Sequence, residues 1–211
     1  LANPLEPAAP VNRATTIDYD CGSAVAVADG HAFVADGYSG LAVIDVRVPT
    51  TPGAPVHEAT ASSALDVSVG GGYAYLADYD AGLAIIDVGD PGDPAHVGSV
   101  ACSGTVREVF LAGSYAYVYD SSYGLGVVDV SDPLDPGPLS YLSIDGPLIG
   151  LAPPYAFVDL GPAGIAVYSC SDPATFAPVS TFLTTEGSSD SLVRGDTAYV
   201  VDGTDLFTAV D

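Results

Sequence analysis

Carboxylates are the abundant reactive side chains of this 211-residue chain, which has 27 Asp and Glu residues against four Arg and no Lys. Three of them, Asp66, Glu108 and Asp190, each precede an alanine–aromatic pair by the same number of residues. Carboxylates that converge from separate segments suit a hard cation such as calcium. Two carboxyls about 5–10 Å apart would also suit a glycosidase. The alternative is that these acids face solvent, so the elements that position them decide their chemistry.

Other reactive side chains form no recognisable site. The chain lacks the nucleophile-elbow, zinc-protease and phosphate-loop motifs, and no CxxC pair occurs. The histidines and cysteines are scattered, which predicts surface histidines and cysteines that act as small apolar residues. These residues are His31, His57 and His96, and Cys21, Cys102 and Cys170. We therefore expect no catalytic residues and no cofactor, with calcium as the one candidate ligand.

One phrase recurs five times along the chain. Its clearest copy is YAYLADYDAGLAIIDVGDPGDP, Tyr73 to Pro94, and the other copies begin at His31, Tyr115, Tyr155 and Thr197. A period of about forty residues is typical of repeat architectures. Within residues 63–100 the phrase predicts four short strands, because alternating apolar runs are separated by Gly, Asp and Pro turns. Four antiparallel strands per repeat are typical of a β-propeller blade.

The ends of the chain are consecutive positions of the repeat. Asp211 aligns with Asp129, and Leu1 aligns with Val130, the residue that follows it. This register predicts one all-β domain, residues 1–211: a five-bladed propeller of four-stranded antiparallel blades, in which the N-terminal strand Pro10–Ile17 closes the last blade. The approximate repeats are 18–58, 59–100, 101–142, 143–183, and 184–211 with 1–17. The same register would also arise in a piece of a longer array, or if the N-terminal strand completed a neighbouring molecule and formed a fibre.

The first strand of each blade is expected to be innermost, which would place Asp66, Glu108 and Asp190 at the central channel as a candidate cation site. Ala24 and Leu148 fill this position in the other two blades. Arg107 would neutralise Glu108 in part, which weakens the cation hypothesis.

Aspartates also accompany the prolines that end each repeat, in the sequences DVGDPGDP and DVSDPLDP. We predict that they cap their own turns, because Asp accepts hydrogen bonds from nearby backbone N–H groups and Pro stops a strand. Gly82 is predicted to adopt a positive φ in the preceding turn.

Tyrosine is frequent, with 13 residues, and Trp is absent. Five tyrosines lie in or near predicted loops or strand ends, and exposed tyrosines are suitable contacts for proteins or sugars. They are Tyr19, Tyr38, Tyr79, Tyr119 and Tyr123.

The net charge of −23 argues against nucleic acid and anionic membranes as partners. No apolar run is long enough to span a membrane. Because the chain contains no Met, we expect a processed product or part of a larger chain.

The segments GLAVIDV from Gly40, GLAIIDV from Gly82 and GLGVVDVSDP from Gly124 resemble the LVIVD repeat. The fourth and fifth copies, IAVYSC and LFTAVD, depart from it. The resemblance implies a bacterial or archaeal surface β-propeller, secreted or anchored, with no catalytic residues in its pattern. We therefore expect a non-catalytic extracellular or cell-surface module that binds proteins or surface glycans. The alternatives are a glycosidase-like enzyme on the same fold and a fibre or surface-assembly subunit.

Overall fold

The computed structural model describes residues 22–142, 148–152, 155–160, 163–172, 175–182, 188–194, 197–202 and 207–210. These ranges contain nineteen β-strands, and no helix among them is long and apolar enough to cross a membrane. The first eight strands are β1 (Ala24–Ala28), β2 (His31–Ala35), β3 (Leu41–Asp45), β4 (Val56–Glu58), β5 (Asp66–Gly70), β6 (Tyr73–Ala77), β7 (Leu83–Asp87) and β8 (Ala95–Val100). The next eight are β9 (Val106–Ala112), β10 (Tyr115–Asp120), β11 (Gly124–Asp129), β12 (Gly137–Leu142), β13 (Leu148–Ala152), β14 (Tyr155–Asp159), β15 (Ile165–Asp172) and β16 (Thr175–Phe182). The last three are β17 (Ser188–Arg194), β18 (Thr197–Asp202) and β19 (Phe207–Val210).

Successive strands pair antiparallel into five separate sheets within the described ranges. Sheets 1 to 4 take β1–β4, β5–β8, β9–β12 and β13–β16 in chain order, and sheet 5 contains β17–β19. The predicted unit of four antiparallel strands is therefore confirmed for four sheets. The predicted fourth strand of sheet 5, Pro10–Ile17, lies outside the described residues.

The sheets stand side by side in chain order and touch through their first strands. β1 contacts β5, β5 contacts β9, β9 contacts β13, and β13 contacts β17. Side chains from facing sheets form an apolar cluster at each of the first three interfaces. The first strands thus form the line along which the predicted channel acids lie.

The alanine–aromatic pair of each second strand supplies side chains that pack between neighbouring sheets. Neighbouring residues of a strand point to opposite faces, so Ala74 packs toward sheet 1 and Tyr75 toward sheet 3. Each of the first three interfaces thereby receives an aromatic ring from one sheet and an alanine from the next. Phe33 meets Ala74 in this way, and Tyr75 meets Ala116. Small residues therefore pack beside large ones at these interfaces.

The third strands are apolar on both faces, as a strand covered on two sides requires. Leu83, Ile85 and Ile86 of β7 are fully buried. The turn before β7 ends at Gly82, whose φ is +94°. A Cβ atom there would lie 2.2 Å from the carbonyl oxygen of Val100, so glycine is required for space as well as for conformation.

Candidate functional site

Asp66, the first predicted channel acid, begins β5 and bonds to the neighbouring sheet. Its Oδ2 accepts the N–H of Val109 on β9 at 2.9 Å, and its Oδ1 accepts the N–H of Val67 at 2.8 Å. Two residues further along the same face, the Ser68 hydroxyl donates to the carbonyl of Val109 at 2.9 Å. Burial raises the pKa of Asp66, and the N–H groups of Val109 and Val67 oppose that rise. Asp66 and Ser68 therefore join sheet 2 to sheet 3.

Glu108 and Asp190 lie at the same register as Asp66. Asp66 pairs with Ala77, Glu108 with Tyr119, and Asp190 with Val201, and each partner stands at the same place in its second strand. The predicted equivalence of the three acids along the backbone is thus confirmed. The side chain of Asp190 lies outside the described residues. No group of three or more His, Cys, Asp or Glu side chains suited to a metal occurs among the described ones. A calcium site built from all three acids therefore stays a prediction.

Arg107, expected beside Glu108 as its neutralising charge, points to an aromatic ring. Its guanidinium carbon lies 5.8 Å from the ring centroid of Tyr79. The pairing of β9 with β10 shifts register next to this residue, since Glu108 opposes Tyr119 and Val106 opposes Asp120. Neighbouring residues of a strand point to opposite faces, so Arg107 lies on the same face as Val109, toward sheet 2, and away from the face of Glu108.

A second set of aspartates is almost completely buried. Asp36 and Asp78 follow the second strands of their sheets and Asp120 ends β10, and the three are 1%, 1% and 0% exposed. The Asp78 carboxylate accepts three donors from the segment that joins sheet 1 to sheet 2. These donors are the Thr60 hydroxyl at 2.8 Å, the Ala61 N–H at 3.0 Å and the Ser62 N–H at 3.1 Å. Asp78 thereby fixes the connection between two sheets.

Asp120 repeats this role one sheet later. It accepts the N–H of Gly104, in the segment from sheet 2 to sheet 3, at 3.2 Å, and the N–H of Ser122 at 2.7 Å. A Cβ on Gly104 would lie 2.1 Å from Asp120 Oδ1. In sheet 1, Asp36 Oδ2 lies 3.3 Å from Nε2 of His57.

These buried aspartates were not among the predicted site residues, although the sequence carries a signal for them. An aspartate stands at the same place in four of the five aligned copies, at Asp36, Asp78, Asp120 and Asp202. A repeated acid at the end of a buried strand indicates a carboxylate with partners supplied by the fold, because an unpaired buried charge is costly.

The aspartates of the proline-containing loops cap their own turns, as predicted. Asp87 Oδ1 accepts the N–H of Gly89 at 2.8 Å, and Asp90 Oδ1 accepts that of Gly92 at 2.9 Å. The next sheet repeats the pattern at Asp129 with Ser131 and at Asp132 with Leu134. In sheet 1 the Arg47 guanidinium binds Asp45 and holds the pKa of that exposed carboxyl well below its usual range.

The three histidines were predicted to lie at the surface, and one of them also contacts a buried aspartate. His96 is exposed, and His31 is half-buried with Nδ1 3.0 Å from the carbonyl oxygen of Asp29. His57 lies on the outer strand β4, and its side chain is 34% exposed. Its contact with Asp36 was not anticipated, because the two residues are brought together only by the pairing of strands within sheet 1.

The two described cysteines differ in how deeply they are buried. Cys170 is buried and behaves as a small apolar residue, as predicted. Cys102 is a free thiol only partly buried, and it accepts a hydrogen bond from the Tyr141 hydroxyl at 3.6 Å. Burial raises the pKa of Cys102. Cys21 lies outside the described residues.

Three exposed tyrosines share one face of the molecule, which we call the tyrosine face: Tyr38, Tyr79 and Tyr123. Each lies in the turn between the second and third strands of its sheet, and they are 79%, 37% and 50% exposed. Bridges from Gly37 to Ala64 and from Tyr79 to Val106 tie two of these turns to the next sheet. Three neighbouring sheets therefore present an aromatic ring at the same end.

The other loop tyrosines divide differently. Tyr119 lies next to the end of β10, as predicted, but it is partly buried and packs against the cluster between sheets 3 and 4. Tyr19 lies outside the described residues. Tyr141, on the outer strand β12, joins the tyrosine face, since its ring centroid lies 5.6 Å from that of Tyr123.

The opposite end carries a cleft between sheets 2 and 3. Its volume is about 540 Å³, and its walls include Tyr73, Tyr75, Leu111 and Pro133. No carboxylate lines this cleft. The acids and the tyrosine face thus lie elsewhere on the described surface.

Solved structures similar to this chain show its fold. A protein from Lactobacillus plantarum has a TM-score of 0.70 and 17% identity, with 90% of this chain and 70% of that chain covered. A candidate 6-phosphogluconolactonase from Bacteroides uniformis has a TM-score of 0.71 and 15% identity, with 88% and 64% covered. BamB from Moraxella catarrhalis has a TM-score of 0.63 and 15% identity, with 90% and 58% covered. This chain therefore spans less than two thirds of the last two proteins.

These likenesses establish an all-β, propeller-like fold built from antiparallel sheets. No curated protein matches the sequence. The LVIVD repeat matches residues 22–55, 61–102 and 103–138, which together form more than half of the chain. The predicted resemblance is confirmed, and the chain belongs to the LVIVD-repeat family.

Proposed function

We propose that this chain is a non-catalytic interaction module of an extracellular or cell-surface protein, and that the tyrosine face is its binding surface. The observation that carries this proposal is the exposure of Tyr38, Tyr79 and Tyr123 on equivalent turns of three neighbouring sheets. Tyrosine offers a large contact area and a polar hydroxyl at low conformational cost, and for that reason it is enriched at interfaces. Tyr38 is the most exposed of the three, at 79%.

The carboxylates support the same proposal, because the fold already uses many of them. Asp66 bonds to a neighbouring sheet, Asp78 and Asp120 fix the connections between sheets, and Asp87 and Asp129 cap turns. An acid-using enzyme is the alternative, and the raised pKa of Asp66 is the feature that favours it. Both oxygens of Asp66 accept backbone N–H groups. This counts against the enzyme, because the fold already uses this carboxylate.

The proposal includes a closed ring of five blades, with Pro10–Ile17 as the fourth strand of sheet 5. Val25 and Val27 of β1 are 63% and 69% exposed, and both point away from sheet 2. Their equivalents in sheet 2 are Val67, which is 6% exposed, and Val69, and both pack against sheet 1. The exposed apolar face of β1 is equivalent to the face of β5 that sheet 1 covers, so we expect another sheet to cover β1 as well. In a ring, sheet 5 supplies that cover; in the alternative fibre, sheet 5 of a neighbouring molecule does.

The acidic composition and the family suit a module that works outside the cell, where an extreme net charge keeps a protein soluble. The proposed partners are other proteins, with surface glycans as the alternative class.

The test is capture of partners from the cell envelope of the source organism, with three immobilised proteins compared side by side. They are the wild type, the double variant Tyr38→Ser/Tyr123→Ser, and the control Tyr155→Ser. Tyr155 is 42% exposed and begins β14, at the end of its sheet opposite the tyrosine face. We expect the wild type and the control to retain the same species and the double variant to lose it. Equal retention by all three would overturn the proposal, provided that circular dichroism shows equal folding.

A further inference from the structure

We propose that the tyrosine face binds a basic polypeptide segment whose Arg or Lys side chains stack on Tyr38 and Tyr123. This inference rests on the proposed function and names the chemistry of its partner. It follows from three features of the described residues: the charge of the chain, a contact already present within it, and the arrangement of the three turns.

Charge favours a cationic partner over a neutral or acidic one. The chain has a net charge of −23, with Asp and Glu in excess of Arg throughout the sequence. A field of this sign attracts basic segments and accelerates their encounter. Asp80 adds a local negative charge to the tyrosine face, because it is exposed and lies in the same turn as Tyr79.

The contact already present is that of Arg107 with Tyr79. The guanidinium lies over the ring, with its carbon 5.8 Å from the centroid, within the range of a cation–π interaction. Among the described residues, Arg107 is the arginine that reaches the tyrosine face, since Arg47 lies at the opposite end of its sheet beside Asp45. The fold thus shows at Tyr79 the contact that a basic partner would make at the flanking tyrosines.

The three turns lie at the same end of consecutive sheets. Tyr38 belongs to sheet 1, Tyr79 to sheet 2 and Tyr123 to sheet 3, and these sheets are consecutive neighbours. Tyr38 and Tyr123 are more exposed than Tyr79, which Arg107 covers in part. Two accessible rings therefore flank one ring that already carries a cation.

The experiment uses the whole chain labelled with 3-fluorotyrosine, titrated with a hexa-arginine peptide and observed by fluorine NMR. Single Tyr→Phe variants assign the resonances of Tyr38, Tyr123 and Tyr155. A hexa-citrulline peptide of the same shape, without the charges, is the matched ligand control. We expect the arginine peptide to shift the resonances of Tyr38 and Tyr123, to leave Tyr155 unchanged, and to bind more weakly as salt rises.

Variants separate stacking from general attraction to an acidic protein. Tyr38→Ser/Tyr123→Ser is expected to bind hexa-arginine about fivefold more weakly than the wild type, and Tyr38→Phe/Tyr123→Phe to bind like the wild type. Equal affinity of the Ser and wild-type proteins, or equal shifts at Tyr155, would overturn the inference and leave only non-specific charge attraction.

The two levels of the proposal fail separately. If the envelope partner is lost from the Ser variant but arginine peptides do not shift the tyrosine face, the surface binds another chemistry, such as a glycan. The proposed function then stands and this inference is wrong. If capture does not depend on Tyr38 and Tyr123 at all, the proposed function itself is wrong.

Discussion

The carboxylate of Asp66 on β5 accepts the backbone N–H of Val109 on β9, the first strand of the next sheet, at 2.9 Å. The Ser68 hydroxyl donates to the carbonyl oxygen of Val109. Side chains of sheet 2 therefore bond to both the backbone N–H and the backbone carbonyl of this residue. The first strand of a sheet has an unpaired edge. At the free edge of β9, the side chains of Asp66 and Ser68 take the place of the backbone groups that a further strand would offer.

Replacement of Asp66 by Ala should destabilise the chain by about 1–3 kcal/mol, because the Val109 N–H loses its acceptor in a half-buried site. Asp93→Ala removes the same charge at an exposed position and should change stability by less than about 0.5 kcal/mol. Chemical denaturation of the two variants measures the difference. Equal stability of both would show that the bond between the sheets contributes nothing.

The pKa of Asp66 predicts a pH dependence with a defined sign. Burial raises it above the ordinary value of 3.8, so the folded state holds this proton more tightly than the unfolded state. The resulting stability is fully present below pH 3.8 and is lost as pH rises through the folded-state pKa. The free energy of unfolding of the wild type, minus that of Asp66→Asn, should therefore decrease from about pH 3 to about pH 7. A flat or rising difference would contradict the assignment.

Gly104→Ala should be destabilising by about 1–3 kcal/mol, since the new Cβ would overlap the Asp120 carboxylate in a tightly packed connection. Gly137 is the matched control, because a Cβ there meets no atom within 4 Å. We expect thermal unfolding to separate the two substitutions clearly. Similar melting temperatures would mean that Asp120 moves aside at little cost.

Gly126 and Tyr141 should show strong coupling in a double-mutant cycle. A Cβ on Gly126 would lie 2.7 Å from Cε1 of Tyr141, whereas sheet 2 pairs Ala84 with Ser99 at the equivalent position. Gly126→Ala alone should therefore cost about 1–2 kcal/mol, while in a Tyr141→Ser background it should be neutral or stabilising, since Ala suits a strand better than Gly. Additive effects in chemical denaturation would count against this packing relationship.

The double variant Val25→Asp/Val27→Asp tests the proposed ring. If sheet 5 of the same chain covers these residues, the variant should lose at least about 3 kcal/mol of stability and remain a monomer. The control Val48→Asp/Val179→Asp changes two residues that are 55% and 53% exposed, and it should melt close to the wild type. Sedimentation velocity reports the mass. A wild type that forms oligomers, and a Val25→Asp/Val27→Asp variant that does not, would instead indicate exchange between molecules.

Much of the fold could be predicted from the sequence, because the determinants of strands and turns are local. Alternation in residues 63–100 indicated the strands of sheet 2, Gly82 marked a turn that needs a positive φ, and Asp87 and Asp129 marked turns that they cap. Each of these features depends on neighbours within a few residues. Because the phrase repeats, the same four-stranded unit could be predicted for the other sheets. The repeated phrase also indicated the LVIVD-repeat family.

Tertiary structure alone decided the role of each side chain that the pattern had marked. Asp66 bonds to a residue 43 positions away, and no local pattern shows that partner. Arg107 stacks on Tyr79 of the neighbouring sheet, and Tyr119 packs between sheets while Tyr123 is exposed. Local patterns of residues were sufficient to define the period, the strands and the turns. Contacts between sheets determined which acids are structural and which tyrosines form a surface, because those contacts join residues that are distant along the chain.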